Sequence, residues 1–338
     1  MELLVMLGLV CAFTALVLLL AGAPPWEAIM LLAQGSLGSL TRFGHVIKVW
    51  IPLTLCACGL IYTFRVGLWN IGVEGQIIMG AIFTTWVLRM GIQSGRPALV
   101  LALAFASGIA GGALWAMIAG FLKTKGGVHE IFAGLGLNFV AQGTVLWLIF
   151  GPWKRPGIAS MSGTEIFPDA LWLSTLGTLS VTPVGLGLAL GAVAITALLL
   201  GFTRVGLNLK AIGGNIIAAP LFGLHPGRTM VLAMLLAGGF AGLAGAVQVA
   251  GVYHRLIPNI SSDYGYLALL VVLLSNFRIA YAPLVALFFA CLNVGGIQLP
   301  LTLNLDSSLS GVIQGALVLA TLAAHAWRSA ARSPGGAP

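Results

Sequence analysis

The sequence predicts an all-α fold, a polytopic membrane bundle of about ten transmembrane helices with a long outer loop and one non-spanning internal helix. Three observations predict it. The 338 residues are 59% apolar and only 7% charged, where a soluble domain is roughly 25% charged; so few charges cannot cover the surface of a soluble fold this long. The apolar residues come in runs close to the ~20 that a spanning helix needs. The basic residues stand singly at the ends of those runs, the pattern of loops that orient helices. The net charge of +8 therefore reads as membrane topology, and a nucleic-acid partner is not expected.

Taken in order, the runs bounded by charge, Pro or Gly predict spans at 3–21, 46–64, 76–90, 98–122, 131–150, 184–202, 229–249, 264–276, 281–297 and 308–326. Residues 1–326 then form one transmembrane domain. The first run lacks the basic start of a cleaved signal and is read as a retained span, although Ala21–Ala23 resembles a small-residue cleavage site. With the N-terminus inside, the inner segments hold Arg65, Lys123, Lys125, Arg204, Lys210, Arg228, Arg278, Arg328 and Arg332. Arg42, Lys48, Arg89, Arg96, Lys154, Arg155 and Arg255 fall outside. The margin favours both termini on the cytoplasmic face. Residues 151–183, with Pro152, Lys154, Arg155, Pro156, Glu165, Pro168 and Asp169, form an external loop. Residues 203–228 form an internal segment, and 327–338 a disordered cytoplasmic tail.

Glycine is abundant at 46 residues. GxxxG pairs at Gly108/Gly112, Gly187/Gly191, Gly238/Gly242 and Gly311/Gly315 predict close helix packing, because small faces let backbones approach in lipid. Cys11, Cys56, Cys58 and Cys291 lie within apolar runs, without zinc or redox spacing. No phosphate-binding loop surrounds Lys123-Thr124, and His129-Glu130 lacks the second histidine of a zinc helix, since Ala133 stands there. No nucleophile elbow exists. The sequence predicts no catalytic residue, metal site or cofactor on this chain.

Two stretches break the pattern. RVGLWNIGVEGQIIMG, residues 65–80, interrupts two apolar runs with glycines and carries Trp69, Asn70, Glu74 and Gln76. A carboxylate at bilayer depth costs about 2.5–3.5 kcal/mol on insertion scales, so it must face protein, a cavity or a partner. The stretch reads either as a broken helix beside a solute pathway or as a tight turn. In the second, residues 203–228, Gly213-Gly214 separates two amphipathic pieces that Pro220 and Pro226 keep short. A short, partly apolar helix on the inner face suits a groove on a soluble partner, or a lipid surface.

FRVGLWNIGVEGQIIMGA resembles the signature of permease subunits of bacterial ATP-binding-cassette importers for nucleosides and simple sugars, a family akin to the branched-chain amino acid permeases. GLNLKAIGGNIIAAPLFGL, followed by AGGFAGLAGAVQVAG, is similar to that family's cytoplasmic coupling helix and next span, and the resemblance covers about residues 46–325. The sequence departs from the family pattern at Lys210, Gly214, His129 and the turn SNFRIAY. The resemblance implies a bacterial cytoplasmic (inner) membrane protein that works with a second permease chain of different sequence. It further implies a cytoplasmic ATPase carrying ATP and Mg, and an extracytoplasmic substrate-binding lipoprotein. Asn208, Lys210, Ala211, Gly213, Asn215, Ala218, Ala219 and Gly223 would couple to the ATPase. The intramembrane polar groups Trp69, Asn70, Glu74, Gln76, Asn138, Gln142, Gln248 and Asn293 would line the path of a nucleoside or related small polar solute. A simple sugar or an amino acid is the alternative within the superfamily. An ion-coupled secondary transporter is the alternative outside it, with Glu74 almost its only coupling candidate.

Overall fold

Proline placement sets where several long helices begin. Pro97, Pro183 and Pro226 each open a helix, where a missing N–H leaves no bond unmade and the fixed φ suits helical entry. The computed structural model describes residues 16, 19, 22, 24–155, 162–303, 311, 312 and 315. Among the described residues eleven α-helices follow one another: α1 (Pro25–Leu37), α2 (Leu40–Arg65), α3 (Val73–Gly91), α4 (Pro97–Thr124), α5 (Glu130–Phe150), α6 (Pro183–Phe202), α7 (Arg204–Gly214), α8 (Pro226–Gln248), α9 (Tyr264–Leu274), α10 (Ala282–Gly295) and α11 (Gln298–Leu303).

Five of the described helices are long and apolar enough to cross a membrane: α2, α4, α5, α6, and α8 together with its π-helical end to Tyr253. The apolar helices α9 and α10 are shorter, at 11 and 14 residues. Each predicted span from 46–64 to 281–297 coincides with one of the helices α2–α6 and α8–α10. The spans 3–21 and 308–326 lie almost wholly outside the described residues, as does the tail. One helix was not expected. Residues 22–45, outside any predicted span, hold the 13-residue α1 and the first six residues of α2; an apolar run that short is below spanning length, so hydropathy alone passes over it.

The chain divides into two compact units, one of Met1–Val49, Thr178–Ser180 and Leu287–Pro338, the other of Trp50–Gly177 and Val181–Ala286. In the first, α1 lies against the end of α10 and the start of α11. A Cβ on Gly35 would stand 2.6 Å from Gln298 Cγ and 3.0 Å from the Gly295 backbone.

The second unit is built around α3, α4 and α8. Gly108 and Gly112 on α4 meet Gly242 and Gly238 on α8, and Gly80 on α3 meets Gly242, so closely that a Cβ on Gly80, Gly112, Gly238 or Gly242 would strike the facing backbone and one on Gly108 the Thr84 hydroxyl. Two of the four predicted GxxxG pairs thus pack against each other, while Gly187 and Gly191 on α6 face open space. Lipid tails give no hydrophobic drive to helix association, so this contact is held by dispersion between backbones.

Apolar clusters close both ends of this unit. At the Arg89 end, Ile82, Leu88, Val145 and Leu148 pack with Phe167 and Leu171 from the predicted external loop. That loop is not free. Val249–Tyr253 winds as a π-helix, and the Ala250 and His254 carbonyls accept hydrogen bonds from Leu173 N (3.0 Å) and Phe167 N (2.9 Å). At the Arg65 end, Leu209 and Ile212 of α7 and Ala219 of the following 3-10 turn pack with Tyr62, Val66, Leu68, Met230 and Met234.

Candidate functional site: a polar break beside an internal helix

Between α2 and α3 the chain must solve a backbone problem. Residues 66–72 are not helical, and Gly72, at the N-cap of α3, offers no side chain to the helix's free N–H groups. Buried backbone groups without partners are costly. Asn138, about two turns into α5, supplies what the glycine lacks. Its Oδ1 accepts from Gly75 N at 2.8 Å, and its Nδ2 donates to the Ile71 carbonyl at 2.9 Å and to Tyr266 Oη at 3.2 Å. Gly134 makes room for the approach, since a Cβ there would come within 2.6 Å of Gly72 N.

The other polar groups of the break also bond to protein, except Glu74 Oε1, which is buried without a hydrogen-bond partner. Asn70 and Gln76 form a reciprocal amide pair, Nδ2 to Oε1 at 3.1 Å and Nε2 to Oδ1 at 2.8 Å. Glu74 Oε2 accepts from Gly265 N at 2.8 Å. That N–H belongs to the first turn of α9, whose own N-cap, Asp263, sits in the left-handed region (φ 59°) and makes no cap bond. A carboxylate from α3 thereby caps a helix elsewhere in the chain, a placement favoured by the helix dipole. Asn70, Glu74, Gln76 and Asn138 are all buried.

The remaining expected pathway residues divide. Trp69 is 43% exposed and meets Phe64 edge-on at 5.2 Å, which in turn contacts Phe277 at 5.2 Å. Gln142 is half-buried and donates from Nε2 to the Pro258 carbonyl at 3.0 Å. Gln248 is buried in the last turn of α8, with its Nε2 lacking a hydrogen-bond partner. Asn293 is half-buried on α10, in the other compact unit. Asn70, Glu74, Gln76 and Asn138 are brought together; Gln142, Gln248 and Asn293 are not joined to them by any hydrogen bond among the described residues.

The internal segment shows the opposite pattern. Thr203 caps α7 by accepting from Gly206 N at 3.3 Å, and Leu209 and Ile212 turn inward. Gly213 sits so close to Arg65 that an added Cβ would strike the Arg65 carbonyl oxygen. Asn215 Oδ1 accepts from Ile217 N and Ala218 N, both at 3.0 Å, an Asx turn that ends α7. Gly223, with φ 73°, closes the 3-10 turn Ala219–Phe222, and Pro226 starts α8 three residues on. Of the eight expected coupling residues, Lys210, Ala211, Gly213, Asn215 and Gly223 are exposed, Asn208 and Ala218 half-buried, and Ala219 is buried.

Beside them stands a ridge that sequence reasoning missed. Ile217, Leu221 and Phe222 are 86%, 86% and 81% exposed. The signal lay in apolar residues between Gly213-Gly214 and Pro226, in a stretch too short to span. Tyr266 and Gly265 were missed because 264–276 reads as a plain apolar run. Beside this end, Lys123 pairs with Glu130 at 2.7 Å across the α4–α5 turn.

The sequence matches the family described as branched-chain amino acid transport system / permease component over residues 43–322. It is 32% identical to a glucose ABC transporter permease protein of Haloferax volcanii, over 82% of this chain and 76% of the other. It is 27% identical to a guanosine ABC transporter permease protein of Bacillus subtilis, over 96% of this chain and 92% of the other. A second guanosine ABC transporter permease protein of Bacillus subtilis is 25% identical, over 74% and 81%.

Proposed function

The chain belongs to the branched-chain amino acid transport system / permease component family, a multi-pass membrane permease of an ATP-binding-cassette importer and not an enzyme, and from that premise we propose that it forms half of the translocation path for a nucleoside or related small polar solute. ATP is bound by partner subunits. Two different guanosine permease chains from one organism resemble it, which supports a nucleoside and a partnership with a second, non-identical permease. The similarity to a glucose permease protein makes a simple sugar the second reading. In this proposal the chain crosses a prokaryotic cytoplasmic membrane ten times with both termini inside. It receives solute from an extracytoplasmic binding protein, and Trp69, Gln142 and Gln248 face the path.

The observation that carries the coupling role is the exposed ridge Ile217, Leu221 and Phe222 on a segment whose other face is built into the bundle. Apolar knobs of this kind seat in grooves of soluble partners, and here that partner is the ATPase carrying ATP and Mg. Residues 208–223 form the coupling helix region, and nucleotide-driven closure biases the permease by binding its conformations with unequal affinity. Replacing Ile217 and Phe222 together by Asp is expected to abolish co-purification of the ATPase and guanosine uptake, while thermal stability of the permease stays within about 0.5 kcal/mol. Retained ATPase binding would overturn the assignment of the ridge. Uptake of glucose in preference to guanosine by the intact transporter would select the second reading.

A further inference from the structure

The helix α9 is held at both ends by the segment that α7 touches. At its start, Gly265 N donates to Glu74 in the first turn of α3, and Tyr266 Oη accepts from Asn138 on α5. Just past its C-terminus, Phe277 lies 5.2 Å from Phe64, in the last turn of α2. Asn276 and Phe277 occupy the left-handed region at φ 51° and 59°, where residues other than glycine are uncommon; the turn is shaped to bring that ring back. Between these two clamps lie residues 65–75, and α7 rests on them through Gly213 against Arg65 and through Leu209 and Ile212 against Val66 and Leu68.

Displacement of α7 is therefore passed to the break as well as to α6 and α8, on which it also packs. The break cannot shift alone, because its freed backbone groups are bonded to Asn138 and its carboxylate to α9. We propose that Glu74, Asn138 and Tyr266 are positioning residues of the transport cycle. They make the break, α5 and α9 move as one with the coupling segment, so that nucleotide-driven motion of α7 reaches the solute path. The proposal rests on the reading of the chain as an ATP-driven permease. It separates these side chains from solute recognition, because the hydrogen bonds they make all go to protein.

The test uses the complete transporter in proteoliposomes, with its ATPase, second permease and binding protein, and guanosine as solute. Uptake and ATP hydrolysis are measured together. Glu74→Ala is expected to lower the solute moved per ATP by about fivefold or more, the lower end of energetic couplings between distant sites, with KM for guanosine unchanged. Glu74→Gln keeps an oxygen to accept from Gly265 N and is expected to restore most of the ratio. Tyr266→Phe removes one hydroxyl at a residue 39% exposed; it is expected to lower the ratio less than Glu74→Ala, and it carries the test alone if Glu74→Ala does not fold.

A changed KM or solute preference with an intact ratio would overturn the proposal and place these groups on the solute. Uptake and hydrolysis falling together, in proportion to folded protein, would overturn it in favour of a role in folding only. Failure of the underlying reading shows earlier, in a wild-type complex that neither binds ATPase nor imports. If the wild type imports glucose instead, the same ratio is measured with glucose.

Discussion

The break at residues 66–75 and the internal segment 203–228 are mirror images in chemistry. The first buries amides and a carboxylate; the second exposes isoleucine, leucine and phenylalanine. Both go against the ordinary sorting of polar outside and apolar inside, for different reasons. At the break, an interrupted backbone inside a helical bundle has no water to satisfy it, so side chains are recruited as substitutes for the missing helix bonds. In the internal segment, the backbone is satisfied locally by Thr203, Asn215 and Gly223, and its surplus apolar surface is left uncovered. Buried polarity here marks internal repair, and the exposed apolarity is the surface we propose for the ATPase.

Substitutions break this contrast most sharply where the two patterns meet in one turn. Ala219 is buried beside exposed Leu221 and Phe222. Ala219→Asp forces a carboxylate into the cluster of Tyr62, Leu209 and Met230, at a cost of several kcal/mol for an unpaired buried charge. It should lower the thermal stability of the isolated permease, unlike the ridge substitutions two and three residues away, which should spare it. Equal stability of Ala219→Asp and the parent would show that the turn does not pack as described.

At the break, Asn138→Ala leaves the Gly75 N–H and the Ile71 carbonyl without their partner. Each orphaned group costs about 1–3 kcal/mol, toward the lower figure in a membrane, where an unfolded chain also finds partners. Thermal unfolding in detergent should report the loss. Asn138→Asp, which keeps only the acceptor for Gly75 N, should fall between alanine and the parent.

The smallest effect is expected at Lys123. Its ion pair with Glu130 joins a 30% exposed ammonium to a carboxylate exposed only 6%. Lys123→Ala should cost about 1 kcal/mol, allowing for solvent screening of the lysine, and the difference from the parent should shrink in high salt. A loss independent of salt would assign the pair a packing role instead.

Much of the architecture was legible in the sequence because hydropathy is long-ranged along the chain. Runs ended by Arg65, Arg96 or Lys123 locate helices α2–α6 to within a few residues. Helix α1 was not legible, since a 13-residue helix carries no length signal that separates it from a loop. At the site, composition singled out Asn70, Glu74, Gln76 and Asn138, and the structure buries all four. It could not reveal their partners, because Gly265 and Gly75 act through backbone N–H groups, which leave no mark on side-chain composition. Asn138 and Gln142 share a helix face by spacing, yet one repairs a break and the other bonds to Pro258. Likewise Ala218 and Ala219 look alike in sequence, and only the turn geometry makes the second one buried.

The glycine seam joining α3, α4 and α8 has a consequence for how the bundle can work. Where Gly80, Gly112, Gly238 and Gly242 meet, backbone touches backbone, and there are no rotamers to switch and no side chains to slide past one another. Such a joint behaves as a weld. The three helices are one beam, and α8 brings the turn after α7 at one end and the docked 162–173 loop at the other into the same piece. Hinging must then occur outside this seam, where side chains still separate the helices. A single added methyl group at Gly112 would loosen the beam rather than any gate.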